Sequence, residues 1–102
     1  MDMDMTKTSF GSMSVLLSQK DAPLIEHLIF EEGGRPHIHA EYEYFFVLSG
    51  SGIVAVGKDR VEVKKGSLVK IPPKKKHWMI PDEGFTMEGF LWYSSEDVTK
   101  IS

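Results

Sequence analysis

The stretch Gly34 to Gly50 reads GRPHIHAEYEYFFVLSG. It sets His37, His39, Glu41 and Glu43 close together, then runs straight into the apolar series Tyr44 to Leu48. A short apolar run closed by Gly50 and Gly52 has the character of a buried strand. Four potential cation ligands therefore stand at the mouth of a strand built for the interior. On a strand, a histidine-x-histidine pair aims both imidazoles at one face, because side chains alternate with a period of two. His37, His39, Glu41 and Glu43 all share that parity. Two carboxylates and two imidazoles buried on one face repel or turn neutral unless a cation lies among them. Either a divalent metal sits there, or the chain bends near Ala40 and turns one glutamate outward, or both. The plainer alternative is a pair of hydrogen-bonded histidines at a sheet edge.

Strand signals continue on both sides. APLIEHLIF (Ala22 to Phe30) is apolar and ends at the turn Glu31-Glu32-Gly33-Gly34. IVAVGKDRVEVKKG reads as a hairpin about Gly57-Lys58-Asp59-Arg60, its second arm alternating apolar and charged residues. SLVKIPP is stopped by Pro72-Pro73, since proline donates nothing to a sheet ladder. HWMIP and FTMEGFLWY complete the series. Only SSEDVTKIS offers a helix start, with Ser95 as cap and Asp97 in the first turn. Short strands at close spacing with Gly and Pro between them predict an all-β sandwich or barrel with no long helix. Residues 1–13 read as a mobile N-terminal tail and residues 14–102 as one undivided domain.

A chain of 102 residues suits one domain with one core. With 41% hydrophobic residues, 26% charged residues and a net charge of -3, it has an ordinary soluble composition that gives no reason to expect nucleic acid. The one basic run, Lys74-Lys75-Lys76, is a solvated loop on this reading. The absence of cysteine excludes disulfides, thiolate ligands and a cysteine nucleophile. No apolar run approaches the roughly 18 residues of a membrane span. The start, MDMDMTKTSFGSM, has no apolar core of signal-peptide length, so a cytoplasmic location is expected.

From about Leu24 to Trp92 the chain resembles a cupin, a small β-barrel family marked by two motifs. The first runs glycine, five residues, His-x-His, three or four residues, glutamate, six residues, glycine. Here His37, Ile38 and His39 supply the pair, Glu43 the glutamate and Gly50 the closing glycine. The leading glycine falls on Glu31, with Gly33 and Gly34 close by. The second runs glycine, five residues, Pro-x-Gly, two residues, histidine, three residues, asparagine. Gly66, Pro72 and His77 hold their places, whereas Lys74 stands for the glycine and Pro81 for the asparagine.

The resemblance implies an antiparallel jelly-roll β-barrel of six to eight strands. It implies His37, His39, Glu43 and His77 as ligands of one divalent first-row ion (Fe, Mn, Ni or Zn), choosing Glu43 over Glu41. Such a set leaves coordination positions open for a reactant. The implied activity is a metal-dependent enzyme of dioxygenase, decarboxylase or isomerase type acting on a small oxygenated or acidic molecule. The alternative is a non-catalytic module that binds a sugar or small acid, its metal structural or absent. Without cysteine, a thiol dioxygenase with a cysteine–tyrosine crosslink is excluded. Arg35 and Glu41 are the catalytic candidates, the first as a carboxylate clamp and the second as a general base. His27 is expected to be a hydrogen-bonded core histidine. Among the aromatic and sulfur side chains near the site, Trp78 is the best candidate to line a pocket, because it follows His77. A homodimer is expected by resemblance, and because a strand such as Leu24 to Phe30 would leave an open sheet edge. No membrane or nucleic-acid partner is expected.

Overall fold

The computed structural model describes residues 5–20 and 22–99. Nine strands run through them: β1 (Thr6–Lys7), β2 (Gly11–Gln19), β3 (Ala22–Phe30), β4 (Tyr42–Ser49), β5 (Ser51–Val56), β6 (Asp59–Lys64), β7 (Leu68–Ile71), β8 (His77–Pro81) and β9 (Met87–Ser94). They form a six-stranded sheet in the order β1-β2-β3-β9-β4-β7 and a three-stranded sheet in the order β6-β5-β8. Every pairing is antiparallel. This is the all-β jelly-roll architecture expected from the sequence, with one strand more than expected, the two-residue β1 counted among them.

Period-two alternation fills the interior. In β4, Glu43, Phe45 and Val47 are buried on the inner face, while on the other face Phe46 is exposed and Tyr44 is buried beside Trp92. Phe45 lies opposite Val69 of β7 and Leu91 of β9, and all three join the apolar core. Across the space between the sheets, Val54, Val63 and Met79 complete it. Gly57 starts the β5–β6 turn with a φ of 59°, which suits a two-residue hairpin with glycine first. The turn is therefore tighter than the four residues expected.

Three expectations change. Gly11 to Met13 were assigned to the tail, yet they lie inside β2, and Thr6 and Lys7 pair with Met13 and Ser12. Residues 1–4 lie outside the described residues. The strand β3 is not an edge, because β2 and β9 flank it, so the open-edge argument for a dimer fails. No helix follows Ser95 among the described residues. The Asp97 carboxylate instead accepts from the Thr99 backbone N–H and from the Lys70 ammonium, each at 2.9 Å. A local side-chain turn of that kind competes with a helix start. Residues 100–102 lie outside the described residues.

The connection from β3 to β4, residues 31–41, leaves the larger sheet, lies along β8 of the smaller one and returns. Gly34 donates its N–H to the Met79 carbonyl at 2.8 Å, and His37 and His77 exchange backbone hydrogen bonds of 2.9 Å in both directions. The Lys74 N–H reaches the His39 carbonyl at 2.7 Å. The histidine pair is thus held by a bridge to β8 and not by a regular strand.

After β4, a bulge near Leu48 leads to Gly50, whose φ is 81°. A Cβ at Gly50 would lie 2.0 Å from the Thr86 carbonyl oxygen. Strain from the left-handed conformation and a backbone clash therefore act together. Gly50→Ala is expected to lower stability by at least ~2 kcal/mol. Urea unfolding checks this, with a lower midpoint at unchanged slope.

Candidate metal centre

Glu43 sits in the middle of the larger sheet, opposite Ile71 of β7 and Tyr93 of β9, and is 1% exposed. Among the described residues, the ligand atoms of His39, Glu43 and His77 all lie within 4.8 Å of one another. Glu43 comes from the larger sheet, His77 opens β8 of the smaller one, and His39 comes from the crossing segment. His77 Nε2 stands 2.6 Å from Glu43 Oε2, and His39 Nε2 stands 3.8 Å from Oε1.

Hydrogen bonding decides what this cluster can hold. The Nδ1–H of His77 points to the Lys75 carbonyl at 3.0 Å, so that whenever the ring is neutral Nε2 is its bare nitrogen. That nitrogen faces a carboxylate oxygen, and two acceptors do not attract. Both Glu43 oxygens are shut from solvent, and neither has an aligned hydrogen-bond donor despite the short contact. An anion so placed is costly unless a proton or a cation sits between it and the imidazoles. A divalent ion fits that point, with neutral imidazole and carboxylate donors suited to first-row metals.

Electrostatics agree. Burial disfavours the charged form of His77, but Glu43 and the Lys75 carbonyl outweigh it and hold its pKa above the ordinary histidine value. Partial burial, together with His39 and His77, holds the His37 pKa below that value, with Glu43 pulling the other way. The His37 ring lies 5.9 Å from that of His39 and 6.5 Å from that of His77, centre to centre, but its nitrogens stand outside the tight group. The two strand histidines therefore share a side, and one of them converges on Glu43.

Glu41 is exposed, because the chain bends at Ala40 and Glu41 before β4 begins. It borders a separate hollow beside His39, Tyr93 and Trp92. Arg35, His37 and Trp78 all border the cavity that the cluster lines, which holds about 200 Å³. Trp78 also carries the Arg60 guanidinium 6.0 Å from its ring centre. His27 binds Glu88 at 2.5 Å as a structural histidine, and Tyr44, Phe90 and Trp92 face an outer hollow. Lys74, in the place of a motif glycine, takes a φ of 65°, the strained conformation that glycine would adopt freely.

Two polar residues of the cavity, one buried and one half-buried, carried no motif in the sequence. Glu26 on β3 is 6% exposed and accepts the Tyr93 hydroxyl hydrogen bond at 2.7 Å. The Tyr93 ring meets His39 edge-on at 5.6 Å. Burial, and then Glu26, push the Tyr93 phenol above its usual range. The available signal was parity: Glu26 alternates with Leu28 and Phe30, so a charge stands in the inward row of β3.

The cupin domain family matches residues 26–92. An uncharacterised protein of Methanocaldococcus jannaschii is 35% identical over 48 residues, 44% of this chain, and the match spans 38% of that relative's length. The crystal structure of a predicted oxalate decarboxylase from Thermotoga maritima is similar, with a TM-score of 0.74 at 20% identity over 83% of this chain and 80% of that one. The polyketide cyclase RemF from Streptomyces resistomycificus gives 0.75 at 18% identity over 93% and 75%. Among the described residues, no helix is long and apolar enough to cross a membrane.

The raised His77 pKa gives opposite pH dependences with and without metal. In the metal-free protein the pairing of protonated His77 with Glu43 stabilises below the ordinary histidine pKa, and is lost as pH rises through the raised one. Uptake of an ion needs the bare nitrogen, so it strengthens over the same interval. The rise in Tm on adding zinc is therefore expected to be small near pH ~5.5 and larger near pH ~7.5. A shift independent of pH, measured by scanning fluorimetry, would reject this.

Proposed function

Because the chain belongs to the cupin domain family, we propose that it is a metal-dependent enzyme acting on a small oxygenated or acidic molecule, of dioxygenase, decarboxylase or isomerase type. The observation that carries this reading is the enclosed Glu43 carboxylate, without an aligned hydrogen-bond donor at either oxygen and faced at 2.6 Å by Nε2 of His77. His39, Glu43 and His77 would hold the ion, with His37 at the rim as the fourth ligand. When bound, a first-row divalent ion (iron, manganese, nickel or zinc) supplies Lewis acidity to a substrate oxygen.

The protein's own groups do the rest. Phe30, Leu28 and Met79 keep bulk water from the inner end of the cavity. Arg35 at its mouth orients a substrate carboxylate through paired N–H donors. Of the two catalytic candidates, Arg35 is the better placed, since Glu41 borders the other hollow. Two of the similar structures are named as a predicted decarboxylase and a cyclase, which supports catalysis on this fold without choosing a reaction.

Elemental analysis of purified variants tests the site. His39→Ala or Glu43→Ala is expected to reduce metal content at least about tenfold, as loss of a direct ligand exceeds the 10–100-fold effect of a supporting residue. His37→Ala should reduce it less, and Glu41→Ala should leave most of it. Loss of metal in Glu41→Ala with retention in Glu43→Ala would show the assignment to be wrong. A metal-loaded protein that turns over no dicarbonyl, catechol-like or uronate-like substrate, yet binds sugar tightly, would make it a binding module.

The homodimer expected from the resemblance would use the outer face of the larger sheet. There Leu16, Ile25, Phe46, Leu68 and Trp92 border an apolar hollow, with Phe46, Leu68 and Trp92 exposed. Apolar patches of this kind mark association surfaces. Light scattering is expected to report twice the 11.5 kDa chain mass, and Phe46→Lys to return the monomer.

A further inference from the structure

The pair of buried Glu26 and half-buried Tyr93 has no part in the metal-binding cluster so far described. Glu26 makes no ion pair among the described residues, and its one side-chain hydrogen bond there comes from the Tyr93 hydroxyl. The pair lies in the wall of the cavity that contains His39, Glu43 and His77. The order across the larger sheet explains why. Glu26 faces Leu91 across the β3–β9 ladder, and Glu43 faces Tyr93 across the β4–β9 ladder. Tyr93 thus stands between Glu26 and the metal-binding cluster, its ring against His39.

The hydrogen bond fixes the chemistry of this wall. The phenol spends its only proton on Glu26 Oε1, so its oxygen turns lone pairs outward. Glu26, as a carboxylate, is an acceptor as well. Beside the metal-binding cluster the cavity therefore presents a further pair of acceptors, and they call for an occupant that donates. A volume near 150 Å³ is enough to enclose a benzene ring, so about 200 Å³ admits one small ring or a short chain.

We propose that Glu26 and Tyr93 form a hydroxyl-recognising subsite, so that the substrate is a compact hydroxylated carboxylate: its acid group engages the metal end and its remote hydroxyl donates to this pair. The inference rests on the metal reading above and deepens it by naming the substrate class. A site built to accept from a hydroxyl rejects the analogue that lacks it, because the buried acceptors are then left unpaired.

The test uses the full-length zinc-loaded chain, its zinc content first verified by elemental analysis. Dissociation constants are measured by ligand-observed NMR for two pairs, 3-hydroxybutyrate with butyrate and 4-hydroxybenzoate with benzoate. In at least one pair the hydroxylated member is expected to bind about tenfold more tightly. Glu26→Gln and Tyr93→Phe should each bring that ratio near one while zinc content is retained. A purely packing role for the pair would weaken both members alike and leave the ratio unchanged, which overturns the proposal. Equal affinities in the wild type, or no binding of any of the four with zinc in place, overturn it without recourse to variants. A protein that takes up no zinc or other first-row ion defeats the metal reading itself, and that appears in the elemental analysis before any ligand is added.

Discussion

The Glu43 carboxylate sits among Ile71, Phe45 and Tyr93, closed to water and without an aligned donor at either oxygen. Placing a charge there costs several kcal/mol unless something compensates it. Much of the surrounding structure can be understood as supplying that compensation. The crossing segment lies along β8, so that the imidazoles of His39 and His77 arrive over the carboxylate from the opposite side. The Lys75 carbonyl claims the outer nitrogen of His77 and so turns the inner one toward Glu43. A well-packed apolar residue at position 43 would serve a purely structural barrel better, which supports the proposal of a cation at this point.

Much of this was legible in the sequence because it rests on period two. The strands from β3 onward, the buried row of β4 and the proline stop after β7 all follow from alternation and turn chemistry. The choice of Glu43 over Glu41 came from motif spacing; parity alone gave them the same face. The bend at Ala40 is what separates them, and nothing in the side chains of that stretch required it. The strand β2 escaped notice because its serines, and the exposure of Val15 and Leu17, blur the alternation. The end of the chain misled in a different way. Ser95 and Asp97 have the chemistry of a helix start, but Asp97 closes a turn on Thr99 and pairs with Lys70 instead.

Glu26 and Tyr93 show where one-dimensional reading stops. Each occupies an inward position that could be read from its own strand. Their meeting depends on β9 lying between β3 and β4, which is a property of the sheet order. The same order brings both next to His39, so that one cavity carries a cation-binding end and an acceptor-rich end. Polarity at two ends with apolar walls between is the arrangement by which small pockets orient a ligand.

The cluster draws its three members from both sheets and from the segment between them. Anything bound at that point is grasped by the two layers simultaneously and behaves as a removable rivet. Its departure is then governed by how often the layers part or the crossing segment lifts from β8, more than by the strength of any one bond to it. Backbone hydrogen bonds from Gly34, His37 and His39 hold that segment against β8 and Lys74, and parting them is a local opening far smaller than unfolding. The fold would thus act as the clock for exchange at its own centre.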